Sequence, residues 1–88
     1  MSRGHYVRVE DPGWFAANAT LATRRRRLTI GELAGRLSIN ERRLHRLLHG
    51  DVSPHYSEIP RFAQELGVPP ELLAWTEPEA FAIATRPK

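Results

Sequence analysis

The segment Thr29–Gly50, TIGELAGRLSINERRLHRLLHG, constrains the fold of this chain more than any other. Thr29 is a good helix N-cap, and Glu32, three residues on, completes a reciprocal capping box. Ile30, Leu33, Ala34 and Leu37 recur at i, i+3, i+4 and i+7, the spacing of one apolar helix face. Ser38-Ile39-Asn40 interrupts that pattern. Asn40 can cap a second helix by accepting from the amide of Arg42 or Arg43. In that helix Leu44, Leu47 and Leu48 form the inner face. Gly50 ends it, because glycine enters the left-handed conformation without a Cβ penalty. The segment therefore reads as two short helices joined by a tight turn.

The outer face of the second helix is chemically distinct. Arg42, His45, Arg46 and His49 also stand at i, i+3, i+4 and i+7, so four donors or potential cations share one side. Two arginines one turn apart suit bidentate contacts to guanine O6 and N7, or contacts to phosphate. A helix with leucines inward and arginine and histidine outward fits a major groove. His45 and His49 also have the i, i+4 spacing of metal ligands. A third ligand is missing, since the chain has no cysteine and Asp51 lies beyond a glycine, so no metal site is expected.

Charge is distributed unevenly. Residues 24–49 hold eight arginines against two acids, Glu32 and Glu41, while the rest of the chain holds five basic and eight acidic residues. One cationic region on an otherwise acidic chain is the footprint of a polyanion-binding face. Twelve of the thirteen basic residues are arginine, the better bidentate donor.

The ordered residues Leu28-Thr29, Glu32-Leu33-Ala34, Leu37, Ile39-Asn40, Leu44, Arg46-Leu47, Pro54, Ala63 to Val68 and Leu72-Leu73 resemble the helix-turn-helix domain of the lambda repressor/Cro type, found in phage and bacterial regulators. The resemblance covers roughly Phe15 to Leu73. It implies an all-α bundle of five to six short helices that presents its third helix to double-stranded DNA. Asn40, Glu41, Arg42, His45, Arg46 and His49 are then the expected base-reading residues. Arg24, Arg27, Thr29, Arg36, Arg43, Ser53 and His55 are the expected phosphate contacts. Two positions depart from the pattern. Ile30 replaces a glutamine that touches phosphate, and Ser38 stands where the family usually has glycine. Ser38 must therefore tolerate a strained turn, or the turn must differ.

Eighty-eight residues suffice for one domain with a small core. Residues 1–10 read as an N-terminal arm, in which His5 to Val9 alternate like a strand that has nothing to pair with in this chain. Residues 11–76 form the expected DNA-binding domain, and residues 77–88 a short C-terminal helix and tail. Asp11 and Pro12 suit the start of a first helix running to about Arg26. The arginine run 24–27 complements the negative end of that helix dipole and points around the axis, so only one or two of the four should meet DNA. Ser57 is expected to cap a fourth helix to Leu66, Gly67 to end it, and Pro70 to Trp75 to form a fifth. Thr76 to Glu79 reads as a capping box for a sixth helix from Pro78 to Ala84. The expected core is Phe15, Leu33, Ala34, Leu37, Ile39, Leu44, Leu47, Ile59, Phe62, Ala63, Leu66, Leu72 and Leu73. Trp75, Phe81 and Ile83 are left either to finish that core or to join two copies.

No apolar run approaches the ~18 residues of a membrane span. The N-terminus lacks a signal peptide's apolar stretch, so the cytoplasm is the expected location. There is no serine–histidine–acid set, glycine-rich phosphate loop or paired-carboxylate site, and no cofactor or small-molecule ligand is indicated. The chain reads as a non-enzyme. Two functions fit: a sequence-specific DNA-binding regulator, a repressor or Cro-like switch with a homodimer on DNA, and a protein-interaction module, antitoxin-like or a regulatory partner, that keeps the fold. The basic outer face favours the first.

Overall fold

A computed structural model describes residues 12–87. The N-terminal arm and the Asp11 cap lie outside the described residues. Six helices follow in order: α1 (Pro12–Arg25), α2 (Ile30–Leu37), α3 (Glu41–Leu48), α4 (Glu58–Leu66), α5 (Pro70–Trp75) and α6 (Pro78–Ala84). α1 is the central element and packs on α3, α4, α5 and α6. α2 lies on α3 and α4.

Helices this short are unstable alone, so their ends and their shared core must hold them. Phe15, Leu33, Leu44, Leu47, Phe62, Leu73 and Phe81 are fully buried together. Phe15 and Phe62 meet edge to face at 5.2 Å, joining α1 to α4. Ile39 and Leu72, expected in the core, are only partly buried and pack against it. Each sits where a helix begins or ends, so one side stays open to water.

Two polar residues that carry no periodic signal hold α1 in place. Asn18 is buried, and its Nδ2 donates to the carbonyls of Leu72 (3.3 Å), Leu73 (3.2 Å) and Thr76 (2.8 Å), which satisfies the C-terminal end of α5. Thr20 Oγ1 donates to the Leu48 carbonyl at 3.2 Å and so ties α1 to the end of α3.

α1 to α4 end in one common way. A residue in the left-handed region follows each helix: Arg27 (φ 57°), Ser38 (φ 59°), Gly50 (φ 78°) and Gly67 (φ 72°). The next amide then reaches back over the last turn, as in Leu28 N to Thr23 O (3.2 Å), Ile39 N to Ala34 O (3.1 Å), Asp51 N to Arg46 O (2.9 Å) and Val68 N to Ala63 O (3.1 Å). Ser38 thus adopts the glycine conformation rather than changing the turn.

Three local expectations are corrected. Ser57 makes no side-chain cap on α4. Glu58 instead accepts from the His55 amide ahead of the helix at 2.6 Å, while Ser57 Oγ is engaged with His55 Nδ1 at 2.8 Å. The Thr76–Glu79 capping box does not form. Glu77 precedes α6 without a side-chain cap, and the Thr76 hydroxyl turns back to the Glu71 carbonyl at 3.4 Å. Phe81, one of the three residues considered for a dimer surface, is completely buried against α1, whereas Trp75 and Ile83 remain exposed.

Candidate nucleic-acid interface

α3 owes its presentation to both of its ends. At the start, Thr29 and Asn40 act as read from the sequence. Thr29 Oγ1 accepts from Glu32 N at 3.0 Å and Thr29 N donates to Glu32 Oε1 at 2.8 Å, closing the box that begins α2. These hydrogen bonds, that from the Thr29 amide first, hold the Glu32 carboxyl below its ordinary value. Asn40 Oδ1 accepts from Arg43 N at 2.8 Å and begins α3. Between the helices lie only Ser38, Ile39 and Asn40. Ala34, at the crossing, is buried and small enough for close approach.

Leu44 and Leu47 bury one face of α3 completely. Arg42, His45, Arg46 and His49 are all exposed on the other side, with Glu41 beside them. The His45 and His49 rings are stacked, with centroids 5.4 Å apart and planes 17° from parallel. His49 Nδ1 lies 2.8 Å from the His45 carbonyl. A carbonyl only accepts, so Nδ1 carries the proton in that contact and Nε2 is left as the ring's outward nitrogen. Among the described residues no three acidic, histidine or cysteine groups gather as a metal site.

The remaining sequence-nominated residues divide by what holds them. Arg43 is braced: its Nε and Nη2 donate to Glu58 Oε2 and Oε1 at 3.1 and 2.6 Å, a bidentate pair between α3 and α4. Burial pushes the Glu58 carboxyl up, but Arg43, the His55 amide and the nearby positive charges outweigh it and hold Glu58 below its ordinary value. Arg36 forms a looser ion pair with Glu65 at 3.6 Å. Ser53 and His55 are half-buried in the loop after α3. In the arginine run, Arg25 Nη1 turns to α6, donating to the Ala82 carbonyl (3.2 Å) and Thr85 Oγ1 (2.9 Å). Arg26 lies beside Gly67. Arg24 lines a crevice with Thr20, Leu28, Ile30 and Leu48, on the side where α1 meets α2 and α3, and Arg27 is exposed at the turn. Among the described residues Arg24, Arg27, Arg42 and Arg46 have no side-chain hydrogen bond or ion pair.

Asn40, Arg42, Arg43 and Arg46 share a crevice of about 190 Å3, closed by Val52 of the following loop. Arg42 and Arg43 stand in the first turn of α3 and Arg46 in its last, and Arg43 is paired with Glu58. Glu58 was missed in the sequence because no periodicity links position 43 to position 58 across an irregular loop.

Comparison with curated proteins finds no match, nor does comparison with solved structures. One family pattern, described as a helix-turn-helix domain, matches residues 19–75, well over half of the chain. That span contains the second half of α1 and all of α2, the three-residue turn, α3, α4 and α5. The chain belongs to the helix-turn-helix domain family.

Proposed function

We propose that this protein is a sequence-specific regulator of the lambda repressor/Cro type, a repressor or Cro-like switch that reads the major groove of double-stranded DNA with α3. The observation that carries the reading is the row Arg42, His45, Arg46 and His49, exposed on a helix whose opposite face is fully buried. At least one of Arg42 and Arg46 makes a bidentate contact to guanine, while Arg24 and Arg27 grip flanking phosphates. Selection of bound duplexes from a random pool supplies the cognate site. On that site Arg42→Ala or Arg46→Ala costs about 1–3 kcal/mol and relaxes discrimination at one base pair, with a much smaller loss on random DNA. Lysine does not restore the contact fully, because a point charge lacks the planar fork. Parallel losses on both duplexes for both variants would reduce the arginines to phosphate contacts.

A homodimer on DNA is the second part of the proposal. A single eight-residue helix reads few base pairs, and paired subunits lengthen the site. Tyr56 and Trp75, 60% and 45% exposed, flank a crevice of about 250 Å3 formed with Ile59, Pro60 and Pro70. We assign the dimer contact to this patch, in which Glu71 is the one charged lining residue among those described. Sedimentation with and without the selected duplex tests this; one protomer per duplex at every concentration removes the dimer.

A further inference from the structure

One groove of the described residues lies away from α3. It has a volume of about 430 Å3 and lies between the C-terminal half of α1, the α4–α5 turn and the end of α6. Its volume falls within the ~300–1,000 Å3 of small-molecule sites. Ala22, Leu66, Val68 and Leu72 supply apolar lining. Arg25 and Arg26 supply two positive charges, and no carboxylate lines it among the described residues.

The two arginines are held differently. Arg25 is committed to the last turn of α6 through Ala82 and Thr85, so it fixes that wall. Arg26 has no side-chain hydrogen bond or ion pair among the described residues. Its guanidinium lies along Gly67, where an added Cβ would stand 3.1 Å from Nη1. Gly67 is in the left-handed region at φ 72°, so the residue that ends α4 also leaves room for the arginine at the rim. An unpaired fork over an apolar floor matches a ligand with one anionic end and one hydrocarbon body.

We infer that this groove is a binding site for small amphipathic carboxylates, with the carboxylate on Arg26 and the hydrocarbon against Leu66, Val68 and Leu72. The site is independent of the DNA-reading face. The groove is open to solvent on one side, so a short-chain ligand of about eight heavy atoms should bind with Kd on the order of 1 mM.

The test is amide-resolved NMR titration of the full chain with hexanoate, and with 1-hexanol and hexylamine as probes of equal length. Hexanoate should shift the amides of Ala22, Gly67, Val68 and Ala84 saturably and leave those of Arg42 to Leu48 in place. Hexanol should bind at least about tenfold more weakly, and hexylamine should not bind, since each loses the charge-assisted pair. Arg26→Gln, at an exposed position, should weaken hexanoate at least about fivefold while its spectrum stays native. Val68→Glu, which puts a carboxylate into the groove, should abolish binding; if that variant unfolds, Arg26→Gln decides alone. Absence of saturable shifts at about 10 mM hexanoate overturns the site. So does equal affinity for hexanol, or an Arg26→Gln variant that binds like the wild type. None of these readouts depends on DNA, so failure here leaves the reading of α3 untouched, and failure of that reading leaves the groove untouched.

Discussion

Ser38→Gly should stabilise this protein. Ser38 lies at φ 59° and ψ 41°, where the Cβ of an L-residue crowds the neighbouring carbonyl at a cost of about 1–2 kcal/mol. Its side chain is exposed and has no hydrogen bond among the described residues, so removing it forfeits no interaction. The backbone bonds that define the turn, Ser38 N to Gly35 O and Ile39 N to Ala34 O, survive unchanged. Against the relief stands the greater freedom of glycine in the unfolded chain, about 0.5–1 kcal/mol. The net gain is about 0.5–1 kcal/mol. For a domain of this size that raises Tm by about 2–8 °C. Thermal unfolding followed by circular dichroism measures it directly. Ser38→Ala, which keeps Cβ, should gain nothing, and Ser38→Val should lose stability because a branched Cβ worsens the crowding. A Ser38→Gly variant equal to or less stable than the wild type would refute the strain argument, because nothing else at this position changes.

Leu44→Ala should cost about 2–5 kcal/mol and unfold most of the protein at ambient temperature, since Leu44 is completely buried; wild-type-like melting would contradict the packing of α3. Asn18→Asp should cost more than about 3 kcal/mol, because a buried carboxylate would face three carbonyl oxygens; an unchanged Tm would deny Asn18 its role. Glu58→Gln should cost about 1 kcal/mol at neutral pH. The native Glu58 value lies below the unfolded one, so its contribution is complete above the ordinary carboxylate value of 4.5 and disappears as pH falls through the native value. Chemical denaturation of wild type and variant should therefore converge in acid, and a gap that widens there would reverse the sign. The double variant Arg24→Ala, Arg27→Ala should weaken all duplexes alike and flatten the slope of log K against log salt by about 0.9 for each phosphate no longer neutralised; a salt-independent affinity would point to a protein partner instead.

The parts of the fold legible in the sequence are those encoded within one turn of helix. The capping box of Thr29 and Glu32, the Asn40 cap, the leucine faces of α2 and α3 and the glycine ends at Gly50 and Gly67 all depend on neighbours three or four residues away. Arg27 and Ser38 share the left-handed conformation without being glycine, so composition alone does not mark both turns. The poorly legible parts depend on distant partners. Asn18 looks like a surface residue until the carbonyls of α5, more than fifty positions away, are brought against it. Phe81 could serve an interface or a core by hydropathy alone, and only the packing of α6 on α1 decides for the core. The row Arg42, His45, Arg46 and His49 was legible for the same reason as the leucines opposite. The brace Arg43–Glu58 was not, because an irregular loop separates its halves.

The run Arg24–Arg27 straddles the end of α1, so the helix and the turn after it send its side chains to different places. Consecutive residues on a helix stand about 100° apart, so Arg24 and Arg25 face different ways, and the turn that follows redirects Arg26 and Arg27. Arg25 faces α6 and anchors it, and Arg26 faces the α4–α5 turn beside Gly67. Arg24 faces the junction of α1 with α2 and α3, and Arg27 leaves the helix axis as the left-handed turn begins. A net-charge argument would count four contacts to a polyanion, but Arg25 is already held by oxygens of α6. The same geometry couples stability to charge, because Arg25 satisfies carbonyl and hydroxyl oxygens at the end of α6 that would otherwise be left to water. Replacing Arg25 should therefore loosen α6 and leave the salt dependence of DNA binding nearly unchanged, whereas replacing Arg24 should do the opposite. Hydrogen exchange of the Phe81 and Thr85 amides, measured beside the salt slope in the two single variants, separates the roles. Equal effects of both substitutions on both readouts would mean that the run acts as an undivided cationic patch.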